Sequence, residues 1–229
     1  GWGFVEGSIR QEKTSTLKKG NNSFWYPSAS VSVLYTELLK DQMPTWWNYG
    51  KVRASYGIVG NAPELYLANL AFSQESLMRS SNYIYNTVPT SIGNEDIKPE
   101  TKYEFEIGLE NKFFGNRLGM EFNFYSNTIK DQILATTSAA SMGAQSMLMN
   151  VGELSNKGVE LSVYGTPFEN KDWKWDLRAN VAWNKNTVKK LAEGLDVLTH
   201  TNIDGGAAIL ESHVGESMGD WYTYTYKTD

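Results

Sequence analysis

The chain has 229 residues, a formal charge of −5, 13% aromatic residues and no cysteine. These figures exclude a disulfide-stapled fold and thiolate chemistry, and the mild acidity argues against a nucleic-acid surface. The sequence contains no apolar run of roughly eighteen residues and so no transmembrane helix, while its negative mean hydropathy is compatible with a membrane barrel, where half of each strand faces a polar lumen.

In chain order, a weak first strand is predicted over Gly3–Ile9. The second sets Trp25, Ala29, Val31, Val33 and Tyr35 against Ser28, Ser30 and Ser32. The third sets Val52, Ala54 and Tyr56 against Lys51, Arg53 and Ser55, and the fourth Tyr103, Phe105, Ile107 and Leu109 against Lys102, Glu104, Glu106 and Glu110. A fifth sets Leu118, Met120, Phe122 and Phe124 against Gly119, Glu121, Asn123 and Tyr125. In the sixth, Val159, Leu161 and Val163 oppose Gly158, Glu160, Ser162 and Tyr164. The seventh alternates without interruption from Trp173 through Trp175, Leu177, Ala179 and Val181 to Trp183, against Lys174, Asp176, Arg178, Asn180, Ala182 and Asn184. Period-two alternation specifies strands with one apolar and one polar face.

Length separates these strands from soluble ones, which run to about five or six residues. Trp173 to Trp183 is ten steps, or about 33 Å at roughly 3.3 Å per residue. Tilted by about 40°, such a strand rises about 25 Å, the height of the apolar band of an outer-membrane barrel. Trp25, Tyr35, Trp173, Trp175 and Trp183 suit the aromatic girdles at the two membrane interfaces. Lys102, Glu104, Glu106, Glu121, Glu160 and Arg178 are expected on the lumen face. None of the apolar sets named above contains Lys, Arg, Asp or Glu, as expected where a midplane Arg or Lys costs about 2–4 kcal/mol.

The connections are predicted to alternate: short at Leu38–Gly50, Lys112–Asn116 and Pro167–Asp172, long at Gln11–Ser23, Ile58–Glu100, Lys130–Asn156 and beyond Thr187. Periplasmic turns and extracellular loops follow this pattern. Asn150, Gly152, Asn156 and Gly158 are expected at a loop-to-strand junction, as Asn and Gly accept left-handed backbone. An open seven-stranded sheet leaves unpaired edges in lipid, so the chain is read as an internal piece of a longer protein, all of residues 1–229 being barrel wall.

The segments "KVRASYGIVGNAP" (Lys51–Pro63), "IGNEDIKPETKYEFEIGLENKFFGNRLGMEFNFYSNTIKDQI" (Ile92–Ile133), "NVGELSNKGVEL" (Asn150–Leu161) and "WKWDLRANVAWNKNTVKKL" (Trp173–Leu191) resemble the SusC/RagA family of TonB-linked outer-membrane transporters of Bacteroidetes. "NNSFWYPSASVSVLYTE" (Asn21–Glu37) and "VGESMGDWYTYTYKTD" (Val214–Asp229) are similar to the same family in the same order. The resemblance implies an all-β fold, a transmembrane antiparallel barrel of about 22 strands with a plug in its lumen, of which about seven are present. It also implies a Gram-negative outer-membrane location, a SusD-like lipoprotein lid, energy from TonB, and a glycan or oligopeptide cargo. It implies no cofactor. The plug and the TonB box are not among these residues.

Recognition is expected in the long connections, as loops on a rigid scaffold commonly carry binding groups. Tyr66, Tyr83 and Tyr85 offer rings for a sugar face or a peptide, with Asn82 and Asn86 as donors and acceptors. The Met-rich segment Ala135–Asn150 suits contact with the lid or neighbouring loops. His200 and His213 lack metal spacing and are expected as solvated loop residues, and no G-x-S-x-G elbow is present. The pair Glu104/Glu106 reads as lumen charge two residues apart on one strand rather than as a glycosidase dyad. A transporter, not an enzyme, is expected; the alternative is a secreted or surface β-rich carbohydrate-binding module.

Overall fold

A computed structural model of the chain describes residues 1–20, 22–63, 73–76, 84–87, 91–137, 141, 143, 146–192, 194–203, 205 and 207–225. Seven long strands follow one another in chain order across one antiparallel sheet: β1 (Gly3–Lys13), β2 (Ser23–Leu34), β3 (Trp47–Asn61), β7 (Glu100–Phe113), β8 (Leu118–Thr137), β9 (Ser146–Glu169) and β10 (Lys174–Lys190). Between β3 and β7 lie the hairpin β4 (Ser73–Ser76) with β5 (Ile84–Thr87), and the short β6 (Ser91–Ile92), which pairs in parallel with β9. A second small sheet follows β10: β11 (Val197–Ile203), β12 (Ala208–His213) and β13 (Asp220–Thr223). It joins β10 through Val188, whose N–H donates to the Glu216 carbonyl and whose carbonyl accepts from Gly215, each at 2.8 Å.

The register turns the alternation of single strands into continuous rows. One apolar row runs Val5–Val31–Ala54–Ile107–Phe124–Val159–Trp183, and the next Gly3–Val33–Val52–Leu109–Phe122–Leu161–Val181. On the opposite face a row runs Ser30–Ser55–Glu106–Tyr125–Gly158–Asn184. Among the described residues no second layer covers the apolar face: Val181 is 66% exposed, and Ile107 on a central strand is still 38% exposed.

The two ends of the sheet differ in a way that connection lengths do not describe. At the turn end, β7 and β8 are joined by residues 114–117, where Phe114, Gly115 and Asn116 all have positive φ, and β9 and β10 by residues 170–173. Asn170 closes the latter turn by accepting from the N–H groups of Asp172 and Trp173, an Asx arrangement that replaces a backbone turn. The β2–β3 connection, residues 35–46, is longer, and it opens with the helical turn α1 (Tyr35–Leu38). Tyr35 therefore leaves the predicted second strand. Its ring lies where a side chain on Gly50 would stand, and its hydroxyl donates to Asn111.

At the other, loop end, the expected connection Lys130–Asn156 is mostly strand. β8 continues to Thr137 against Ser146, past a bulge at Lys130–Asp131 where Asp131 takes φ +55°. Asn150 and Gly152 lie within β9, as do Asn156 and Gly158, none with left-handed backbone. Their requirement is space. A Cβ on Gly158 would sit 2.4 Å from the Tyr125 ring and 2.8 Å from the Trp183 carbonyl. Gly119 makes the same room for Tyr164, so aromatic rings lie across bare backbone on neighbouring strands.

The water-excluding core also sits at the loop end. Ile97 (1% exposed) and Leu17 pack together with Phe24, Ile133 and Leu148. Val188 and Leu191 are buried where β10 meets the small sheet.

Candidate functional site

The polar face gathers charged and amide side chains at the centre of the sheet. A recess of about 350 Å³ is lined by Lys102, Glu104, Glu106, Asn123, Tyr125, Asn127, Asn156 and Glu160. It thus collects four of the six side chains expected to face a lumen. Register explains the gathering: Glu104, Asn127, Asn156 and Asn186 stand side by side on β7 to β10. Lys102 pairs with Glu104 at 2.9 Å. Arg53 reaches from β3 to Glu106 on β7 and to Asn123 on β8, both at 2.9 Å. It crosses β7 where Gly108 leaves room, since a Cβ there would stand 2.4 Å from Arg53 Nε. The Oδ1 of Asn156 is buried and has no hydrogen-bond partner among the described residues.

The other two expected side chains lie farther toward the turn end. Glu121 stands between Glu110 and Ser162, and Arg178 opposes Tyr164 with its guanidinium 5.3 Å from the ring centre. Glu110 thus stands between Lys51 and Glu121 in the ladder, and Lys112 pairs with it at 3.2 Å, which relieves the like-charge contact with Glu121.

Above the recess the loop end forms a platform. The Asn150 amide donates to the Lys98 and Asp131 carbonyls and accepts from the Lys98 N–H, at 2.7–2.8 Å. It ties residues 93–99 to the β8 bulge. Lys18 and Glu95 join two connections at 2.6 Å, which holds the Glu95 carboxyl below and the Lys18 ammonium above their usual ranges. A cleft of about 850 Å³ opens where the β8–β9 overhang meets residues 190–199.

The histidines are strand residues rather than solvated loop residues. His200 on β11 contacts Ser212 Oγ at 2.7 Å, and His213 on β12 contacts Glu211 at 3.0 Å. His213 pairs with Val197 in the small sheet, while His200 is the exposed extra residue at the β11 bulge between Thr199 and Thr201. Beside them the Tyr222 hydroxyl is pushed up to about 12 by its hydrogen bond to Glu216.

Of the residues expected to meet cargo, Tyr66, Asn82 and Tyr83 lie outside the described residues. Tyr85 and Asn86 fall in β5 opposite Glu75 and Gln74, with Asn86 exposed. Trp25, Trp173, Trp175 and Trp183 are all more than half exposed, and Trp175 meets Phe168 at 6.1 Å between ring centres. A further aromatic group went unnoticed in the sequence. Trp46, Trp47, Phe113 and Phe114 stack at the turn end with centroids 5.5–6.4 Å apart, and Trp47 Nε1 donates to the buried Asn111. The doublets "WW" and "FF" in two neighbouring turns were the available signal.

Residues 4–225 match the family model described as TonB dependent receptor-like, beta-barrel. The chain belongs to the TonB-dependent receptor β-barrel family. It is 30% identical over 96% of its length to TonB-dependent receptor P3 of Formosa agariphila, covering 22% of that protein. It is 29% identical over 95% of its length to the TonB-dependent receptor SusC of Bacteroides thetaiotaomicron, covering 23%. Among solved structures, the RagAB peptide importer in its closed-closed state superposes with a TM-score of 0.80 at 27% identity, over 94% of this chain and 23% of that one. The siderophore receptor PirA of Pseudomonas aeruginosa, at 16% identity and TM-score 0.52, shares the fold. The chain therefore spans between a fifth and a quarter of the two curated relatives and of the RagAB importer chain. The seven-stranded sheet is part of a transmembrane antiparallel barrel, and the relatives are receptors and transporters rather than enzymes.

Proposed function

We propose that residues 1–229 are wall strands of an outer-membrane transporter that imports an oligopeptide or glycan. TonB supplies the energy, and a SusD-like surface lipoprotein closes the outer mouth. The plug and the TonB-engaging segment belong to other parts of the parent protein.

The observation that carries this reading is the slope of the apolar band. The row Ala29–Tyr56–Phe105–Ser126–Lys157–Lys185 crosses the sheet from β2 to β10. On β2 the apolar face continues two steps beyond that row toward the loop end, to Trp25. On β10 it stops one step short of it, at Trp183. Three two-residue steps of roughly 6.6 Å make about 20 Å of offset, over five strand spacings of about 4.8 Å, or about 24 Å. The band border thus slants by about 40° to the row, matching the 35–45° tilt of strands in a membrane barrel. Seen in a frame tilted by that angle, Trp25 and Trp183 stand at one height. They form one girdle with lipid between it and the aromatic residues of the turn end. A soluble carbohydrate-binding module has no reason to keep a level border across six strands.

In this arrangement the face holding Lys102, Glu104, Glu106, Glu121, Glu160 and Arg178 is the lumen wall, and the platform is extracellular. The stretch from residue 62 to 99 then supplies cargo contacts, with Tyr66, Asn82, Tyr83, Tyr85 and Asn86 as candidates. RagAB, a peptide importer by name, favours an oligopeptide among the two cargo classes.

Fractionation of cells expressing the parent protein tests this reading. The protein is expected in the outer membrane, with heat-modifiable migration on SDS gels and TonB-dependent uptake of a labelled peptide mixture. A monomer soluble without detergent overturns it in favour of the secreted module. Deleting residues 76–86 is expected to abolish uptake and leave the folded barrel; unchanged uptake removes this loop from the cargo site.

A further inference from the structure

Lys157 on β9 and Lys185 on β10 are directly opposed in the antiparallel ladder and lie on the apolar face. Both are exposed, and neither makes an ion pair or hydrogen bond among the described residues. Like charges directly across a strand pair are destabilising. On β7 to β10, no carboxylate shares their row or either adjoining row of that face: Ile107, Phe124, Val159 and Trp183 on one side, Tyr103, Thr128, Ser155 and Thr187 on the other. The pair therefore lacks the intramolecular counter-charge that Lys102, Lys112 and Lys174 have on the polar face. One step beyond the hydroxyl row stands Lys130, its ammonium 5.6 Å over the Tyr103 ring centre.

From the middle of the sheet toward the loop end, this strip reads aliphatic and Trp, then two lysines, then hydroxyls, then Lys130 with the Glu153–Lys190 ladder pair beside it. That is the order of acyl chain, phosphate and polar headgroup met by a wall crossing the outer-leaflet border. We propose that Lys157 and Lys185, with Lys130 behind them, bind the phosphate of an anionic outer-leaflet lipid on the outer surface of β8 to β10. This rests on the barrel reading above and adds a lipid partner to it. The phosphate offsets the repulsion between the two ammonium groups, while the acyl chains lie along Trp183, Val159 and Phe124. Lysine suits the position because its stem runs along apolar surface and its head reaches the interface.

The test uses the full-length parent protein, purified in neutral detergent and moved into phosphatidylcholine vesicles with or without one-fifth phosphatidylglycerol. Lipid retained by the protein is counted by native mass spectrometry. Wild type is expected to retain phosphatidylglycerol preferentially, less so at high salt. Lys157→Gln or Lys185→Gln should each weaken retention about fivefold, and the double variant about thirtyfold, at roughly one surface lysine's contribution apiece. Lys171→Gln, in the exposed 170–173 turn, should leave it unchanged. In neutral detergent without anionic lipid the single variants should melt no lower than wild type, because a like-charge pair has been removed. Equal retention of phosphatidylglycerol by wild type and the double variant overturns the proposal, as does displacement by inorganic phosphate alone, which indicates an ion site rather than a lipid site. Failure of wild type to enter vesicles at all overturns the barrel reading instead.

Discussion

Val181 and Ile97 are both β-branched aliphatic residues, yet one is 66% exposed and the other 1%. The first stands in the band of an open sheet, where even Phe122 on a central strand keeps 37% of its surface exposed. The second stands at the loop end, shielded by Leu17, Phe24, Ile133 and Leu148. Burial is driven by the transfer of apolar surface out of water. A region that meets water must make its own core, and a region that meets lipid need not. The contrast therefore maps the surroundings of each part of the wall: the protein folds a small conventional core only where it rises out of the membrane.

The sharpest way to break this contrast is to put charge on each face of the band. Val181→Arg, one two-residue step inside the border that Trp183 marks on β10, is expected to impair assembly, at a cost below the about 2–4 kcal/mol of a midplane charge. Phe105→Arg should do comparable harm, because the slanted border also passes about one two-residue step from it on β7. Glu106→Gln should assemble normally, as it weakens only an exposed pair with Arg53, worth about 0–1 kcal/mol. The amount of heat-modifiable protein in the outer membrane measures all three. Equal losses for Val181→Arg and Glu106→Gln would remove the assignment of faces.

Ile97→Ala probes the other region. It deletes most of a fully buried side chain, a change that costs about 2–5 kcal/mol, but the loss should stay local. Amide exchange in residues 91–99 and 14–20 is expected to accelerate while heat-modifiable migration persists. Loss of the barrel itself would mean that the platform and band fold as one unit.

Gly158→Ala tests the close approach inside the sheet. Its new methyl must displace the Tyr125 ring and press on the Trp183 carbonyl, at a cost of about 1–3 kcal/mol. The midpoint of urea unfolding in detergent should fall, and Tyr125→Ser in the same chain should recover part of it. An unchanged midpoint would show that the contact is not required.

The smallest effect concerns the Lys18–Glu95 tether. Glu95 is held below its usual 4.5 and Lys18 above its usual 10.5 by their mutual hydrogen bond. The tether is complete between those values. It is lost as pH falls through the lowered Glu95 pKa or rises through the raised Lys18 pKa. Exchange of residues 14–20 should accelerate slightly at both extremes and remain flat between them. A Glu95→Gln variant with the same profile would remove the pair as its cause.

Several errors of the sequence reading share one origin. Asn150, Gly152, Asn156 and Gly158 suggest a junction by composition, yet all four lie within β9. The Gly positions answer to rings or side chains on β8, and Asn150 to carbonyls near residues 98 and 131. No local pattern reports a partner that far away. The same holds for the histidines, whose strands form only because β11, β12 and β13 pair with one another. Connection length misled for a related reason. Where the pairing partner continues, a stretch of mixed polarity such as Gln132–Thr137 stays in the ladder.

The sequence by itself determined which residues share a face, how long the band is and, to within three residues, where two tight turns fall: Lys112–Asn116 and Pro167–Asp172 are expected, and residues 114–117 and 170–173 form them. Alternation is a property of adjacent residues, and the pleat turns every second side chain the same way. Only the tertiary structure decided the register. Sliding a strand by two residues preserves its faces, so parity is silent on whether Arg53 meets Glu106 or Lys157 meets Lys185. Those meetings, and with them the slant of the band, the polar recess and the lysine pair, depend on pairings between residues 21 to 53 positions apart.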